Sequence, residues 1–112
     1  MAFEKVCTMD DVWEGEMESF ETSDGGNVLI VCLDGGDIKA YQAMCPHQQI
    51  ELVEGTFEDS TLTCRAHLWQ FDCKSGKGIN PDDAQLAQYP VKIDGDEVYV
   101  DKVGITPFTS HA

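Results

Sequence analysis

Ala43-Met44-Cys45-Pro46-His47-Gln48 and, with sixteen residues between His47 and Cys64, Cys64-Arg65-Ala66-His67-Leu68-Trp69 are the two stretches from which this chain is best read. Each arm offers one thiolate and one imidazole, two or three positions apart, a separation that lets both side chains of an arm converge on one centre. Together the arms supply four ligands in mixed pairs. A binuclear iron–sulfur cluster in which one iron takes two thiolates and the other two imidazoles needs this inventory. A single zinc ion also accepts two cysteines and two histidines, but the usual zinc-finger order places the cysteines in the first arm and the histidines in the second. The interleaved order Cys45, His47, Cys64, His67 favours two bridged irons, with a structural zinc module as the alternative.

Outward from these arms, alternating apolar and polar residues dominate, and turn signals recur at short intervals, so the chain is expected to be all-β. Candidate strands are Phe3 to Cys7, Glu16 to Thr22, Asn27 to Leu33, Ile38 to Ala43, Thr61 to Cys64, Trp69 to Asp72, Tyr89 to Ile93 and Glu97 to Asp101. Asp24-Gly25-Gly26-Asn27, Asp34-Gly35-Gly36-Asp37 and Asp94-Gly95-Asp96 supply the residues that tight hairpins require. Short helical turns are expected at Met9 to Trp13, capped by Thr8, and at Pro81 to Leu86, opened by Asn80. With no internal repeat or linker, residues 1–112 are expected to form one domain. Its metal-binding part spans about 43–72, and 106–112 form a C-terminal tail.

The net charge of −14, from 21 acidic and seven basic residues, repels phosphate backbones and makes nucleic acid an unfavourable partner. Glu4, Asp10, Asp11, Glu14, Glu16, Glu18, Glu21 and Asp24 crowd the first quarter of the chain and are answered there by Lys5 alone. They serve either solubility or the docking of a basic partner. The longest strongly apolar stretch, Val28 to Leu33, is far short of the about twenty residues needed to cross a bilayer, so no membrane span is expected. The N-terminus lacks the basic start and apolar run of a secretory signal, which places the chain in the cytoplasm. Five cysteines are an odd number and, without a secretory signal, argue for metal rather than a disulfide framework.

Cys45-Pro46-His47 followed by Cys64-x-x-His67 resembles the Cys-x-His…Cys-x-x-His pattern of Rieske proteins. The flanking Ile38-Lys39-Ala40-Tyr41 and Gln88-Tyr89-Pro90-Val91-Lys92-Ile93 are similar to the rest of a small Rieske domain. The resemblance covers nearly the whole chain. It implies an antiparallel β-sandwich of small sheets with a cluster-binding subdomain of two loops, and one [2Fe–2S] cluster per chain on Cys45, His47, Cys64 and His67. Phe3-Glu4-Lys5-Val6-Cys7, Ala43-Met44-Cys45-Pro46-His47-Gln48, Cys64-Arg65-Ala66-His67-Leu68-Trp69 and Gly78-Ile79-Asn80-Pro81-Asp82-Asp83 further resemble the ferredoxin component of toluene and toluene/o-xylene monooxygenases. That subgroup implies a monomeric one-electron carrier between an NADH-dependent flavin and iron–sulfur reductase and a diiron hydroxylase of aromatic hydrocarbons. The alternative recipient is a ring-hydroxylating dioxygenase.

Respiratory Rieske proteins carry an extra cysteine in each cluster loop; the matching places here hold Ile50 and Ala66, so no disulfide closes over the cluster. Those proteins also place Ser and Tyr hydroxyls where this chain has Trp69 and Phe71. Fewer hydrogen bonds to sulfur imply a potential toward the lower end of the roughly −150 to +300 mV Rieske span. Because electron transfer falls off steeply with distance, the cluster is expected near the surface, with His47 and His67 facing the partner.

The remaining candidates have plainer readings. Cys7 and Cys32 sit in apolar strand patterns and are expected in the core. Cys73 is the one other conceivable ligand, but using it would mean dropping a histidine. Trp69 is expected as a packed lid beside the cluster rather than an electron conduit, and Gln48 as either a loop-orienting or an exposed polar residue. Asp82 and Asp83 suit a helix start, and His111 lies in the tail. No catalytic residues are assigned: both motif histidines are committed to metal, and there is no G-x-G-x-x-G or G-x-x-x-x-G-K loop.

Overall fold

The structure is a computed structural model that describes residues 3–23, 26–33, 35–44, 51–58, 60–64, 69–74, 76–80, 86–102 and 105. Eleven strands occur among them: β1 (Glu4–Thr8), β2 (Met17–Glu21), β3 (Asn27–Leu33), β4 (Asp37–Gln42), β5 (Thr56–Glu58), β6 (Thr61–Thr63), β7 (Gln70–Asp72), β8 (Gly78–Asn80), β9 (Gln88–Tyr89), β10 (Val91–Asp94) and β11 (Glu97–Val100). They form three antiparallel sheets with strand orders β1-β11-β10, β2-β3-β4-β9 and β5-β6-β7-β8.

The strand β3 explains the layering. Its sequence Asn27-Val28-Leu29-Ile30-Val31-Cys32-Leu33 is apolar at almost every position, the mark of a strand buried on both faces. Successive side chains point to opposite sides. Leu29, Val31 and Leu33 enter one core with Tyr41, Leu52, Leu62, Cys64, Phe71, Cys73 and Leu86. Val28, Ile30 and Cys32 enter the other with Cys7, Val12, Ile38, Ala40, Ala87, Tyr89, Val98 and Val100. The middle sheet thus seats the β1-β11-β10 sheet on one face and the β5-to-β8 subdomain on the other. Each large aliphatic side chain so enclosed is worth about 1.5–3 kcal/mol against exposure.

Two of the three expected glycine turns take left-handed backbone: Gly35 and Gly36, at φ +91° and +83°, turn β3 into β4, and Gly95, at +65°, turns β10 into β11, whereas Asp24 and Gly25 of the third lie outside the described residues. The helical turn expected over Met9 to Trp13 is a single 3₁₀ turn, Met9–Asp11, because Val12 returns to extended backbone and is buried. Thr8 opens it, its N–H donating to Asp11 Oδ2 at 2.9 Å. Tyr89 to Ile93 divides at Pro90 between two sheets: proline has no N–H to continue a ladder, and its carbonyl instead accepts from Asp101 N–H at 3.2 Å. The short strands β5 and β8 were not expected. Of the turn expected at Pro81 to Leu86, only Leu86, buried, is among the described residues.

Candidate metal centre

The arms themselves, 45–50 and 65–68, lie outside the described residues, and the structure describes the paired backbone on either side of each. Below the first arm, Met44 pairs with Glu51 in an isolated antiparallel bridge, and Leu52 N–H donates to Ala43 O at 2.9 Å. A 3₁₀ turn, Leu52–Glu54, follows, with Gly55 N–H donating to Leu52 O at 3.0 Å. Asn27, at the start of β3, donates from Nδ2 to Glu51 Oε1 at 3.3 Å and so ties the loop's exit to the middle sheet. Below the second arm, β6 and β7 pair from Thr61↔Asp72 to Thr63↔Gln70, and Cys64 N–H donates to Trp69 O at 2.7 Å. That bond extends the pairing of β6 and β7 one rung past the strands, to the last described residues on either side of 65–68.

The roots of the two arms touch at Gly55. A β-carbon there would overlap the Thr63 carbonyl oxygen and stand 3.3 Å from Cys64 Cα. Only glycine lets the chain leaving the first arm pass directly against the ladder that carries the second.

Of the expected ligands, Cys64 lies among the described residues and is fully buried in the core shared with Leu52, Leu62 and Phe71. Cys45, His47 and His67 lie outside them, as does Gln48. No group of three or more His, Cys, Asp or Glu side chains able to hold a metal gathers among the described residues, which contain only one of the four expected ligands. Trp69 is half-buried, packs against the Cys64 core and tilts toward Phe71 at 49° with ring centroids 6.5 Å apart. This is a packed position. The donor set fits a binuclear cluster of mixed ligation, since each arm carries one Cys and one His on loops whose roots adjoin beside an apolar core.

Cys73 is fully buried, and burial, aided by the Asp72 carboxylate, pushes its thiol up to about 12. Its N–H donates to Ser60 O at 2.8 Å, and its carbonyl accepts from the buried Tyr41 hydroxyl at 2.6 Å. It behaves as a core residue. Cys7 and Cys32 are also in the core, as expected, and burial pushes Cys7 up to about 11. Sequence reasoning missed Gly55, Asn27 and Gln42. Their importance lies in contacts across the fold that no local pattern announces.

Comparison with known proteins places the chain in a family. Residues 2–90 match the Rieske [2Fe–2S] domain, and the chain belongs to that family and holds a [2Fe–2S] cluster. It is 42% identical over 96 residues to the ferredoxin component of the alkene monooxygenase system of Xanthobacter autotrophicus, covering 85% of this chain and 77% of that one. It is 37% identical over 105 residues to the ferredoxin component of biphenyl 2,3-dioxygenase of Rhodococcus jostii, covering 93% and 96% respectively. Among solved structures, the ferredoxin of carbazole 1,9a-dioxygenase from Nocardioides aromaticivorans matches with a TM-score of 0.78 at 29% identity, over 89% of this chain and 97% of that one.

Proposed function

We propose that this chain is a single-domain, one-electron carrier that receives electrons from an NADH-dependent flavin and iron–sulfur reductase and delivers them to a diiron hydroxylase of aromatic hydrocarbons. Cys45 and Cys64 hold one iron through thiolates, and His47 and His67 hold the other through imidazoles. The observation that carries this reading is the meeting of the two loop roots at Gly55, Thr63 and Cys64, each loop bearing one Cys and one His.

The cluster supplies reversible uptake and release of one electron. The chain's own residues do the rest. The core around Cys64 keeps water from that sulfur, Trp69 packs against that core, and the two paired roots fix the spacing of the arms. Among the described residues no helix is long and apolar enough to cross a membrane. The net charge of −14 steers the protein toward basic partner surfaces, and small redox interfaces of this kind are weak and salt-sensitive. We place His47 and His67 at the face that meets both partners in turn.

The monooxygenase reading is supported by the subgroup phrases around both arms and by the higher identity to the monooxygenase component than to the biphenyl dioxygenase component. A ring-hydroxylating dioxygenase is the second reading, favoured by the dioxygenase ferredoxins among the relatives. Stopped-flow handover decides between them. The chemically reduced protein is mixed with an oxidised toluene-type diiron hydroxylase or with a ring-hydroxylating dioxygenase while the cluster's visible absorbance is followed. Rapid reoxidation by the diiron protein alone is expected; rapid reoxidation by the dioxygenase alone overturns the choice of recipient.

A further inference from the structure

We infer that Gln42 is a positioning residue for the cluster's first arm: its side-chain amide holds the carbonyl of Met44 and so orients the peptide group leading into Cys45. The inference rests on the reading of Cys45 as a ligand.

Gln42 is the last residue of β4, where the backbone ladder to β9 gives out. Its main-chain N–H donates to Ala87 O at 3.0 Å. Its side chain, in a residue only 2% exposed, then takes over the role of a further peptide unit. Oε1 accepts from Ala87 N–H at 2.8 Å, and Nε2 donates to Met44 O at 2.8 Å. One amide therefore spans from the β9 segment to the entrance of the ligand loop. The base of this span is firm, because Tyr41, next to Gln42, is fully buried in one core and Ala87 is buried in the other.

The two sides of the loop are held by different means. On the exit side, Leu52 is fully buried and its N–H donates to Ala43 O. On the entry side, the Met44 side chain is 44% exposed, so packing holds that residue weakly and polar bonds must fix it. Besides its bridge to Glu51, Met44 has the bond from Gln42. The Met44 carbonyl shares one planar peptide with the N–H of Cys45, so restraining the oxygen restrains the plane from which the thiolate departs. Groups that orient metal ligands from behind change metal retention and electronic properties without touching the metal.

The test uses full-length, cluster-loaded protein. Gln42→Met keeps the side-chain length and removes both amide bonds. Val98→Ala, in the core on the far side of the middle sheet, is a control that lowers stability without touching either arm. Three properties are compared: the iron–thiolate stretching bands in resonance Raman, the half-life of the cluster in an iron chelator, and the melting temperature. Gln42→Met is expected to shift the iron–thiolate bands and shorten the cluster half-life about tenfold. Val98→Ala is expected to lower the melting temperature with parent-like bands. Should Gln42→Met fail to fold, Gln42→Asn, whose shorter arm cannot span Ala87 and Met44 together, is read in the same way. Parent-like bands and half-life in the Gln42 variant, with only a lower melting temperature, overturn the inference and leave Gln42 as a core filler. A Cys45→Ser protein that keeps parent iron content and iron–thiolate bands overturns the reading of Cys45 as a ligand, and this inference with it.

Discussion

Gly55 lies against Cys64, with the position of its missing β-carbon 3.3 Å from Cys64 Cα and inside the contact radius of the Thr63 carbonyl oxygen. The obstructing atoms are backbone of the β6–β7 hairpin and cannot swing aside. Gly55→Ala must therefore push the two arm roots apart. Overpacking of this kind costs about 1–3 kcal/mol, and the displacement falls where the ligand loops meet. Urea unfolding together with iron content measures both effects; a Gly55→Ala protein with parent stability and full iron would show that the roots need not touch.

The buried thiols give stability a sign with pH. Cys7 and Cys73 are raised from an ordinary 9.0 to about 11 and about 12, chiefly by burial. Above pH 9 the unfolded chain releases thiol protons that the folded chain retains, so stability falls as pH rises from about 9 to about 11. The slope approaches 1.4 kcal/mol per pH unit for each thiol. Urea midpoints between pH 8 and 11 follow this decline, and the Cys7→Ala, Cys73→Ala double variant should make it shallower, with Cys32, also raised by burial, keeping part of it. A parent midpoint that does not change across that range contradicts the burial of these groups.

Cys73→Ala separates core from ligand. Replacing a buried thiol that only packs should leave the iron content and visible spectrum of the parent, whereas Cys64→Ala should lose the cluster. Loss of iron on replacing Cys73 would assign it to the metal and displace one of the histidines.

Phe71 shares its core with Cys64, and Trp69 packs against both. Respiratory Rieske proteins carry Ser and Tyr at these two places, and the comparison implies that hydroxyls here would donate to cluster or ligand sulfur and favour the reduced, more negative state. The Trp69→Ser, Phe71→Tyr double variant should raise the reduction potential. A hydrogen bond of about 1 kcal/mol corresponds to about 40 mV for one electron. Voltammetry of parent and variant checks the direction, and an unchanged potential removes missing hydroxyls as the reason for a low value.

Much of this architecture was legible in the residues. The unbroken apolar run Val28 to Leu33 is what a strand buried on two faces must look like, and Gly35, Gly36 and Gly95 stand where hairpins need left-handed backbone. The order Cys, His, Cys, His pointed to mixed ligation before any fold was considered. The rest depends on contacts distant in sequence. Thr56-Phe57-Glu58 and Gly78-Ile79-Asn80 are too short to announce strands and form them only because β6 and β7 offer open edges. Pro90 marks a change of sheet because its neighbours pair with different partners. Gln42 and Gly55 carry no local signal: one matters through Ala87, 45 residues away, and the other through the passage of one loop root beside another.

The most direct test of the central claim is pulsed EPR of the singly reduced protein, with the number of electrons taken up counted per two irons. Two histidine nitrogens coupled to a spin that appears on uptake of one electron per two irons is the predicted result. A colourless zinc protein, or a reducible cluster with no nitrogen coupling, would contradict ligation by His47 and His67.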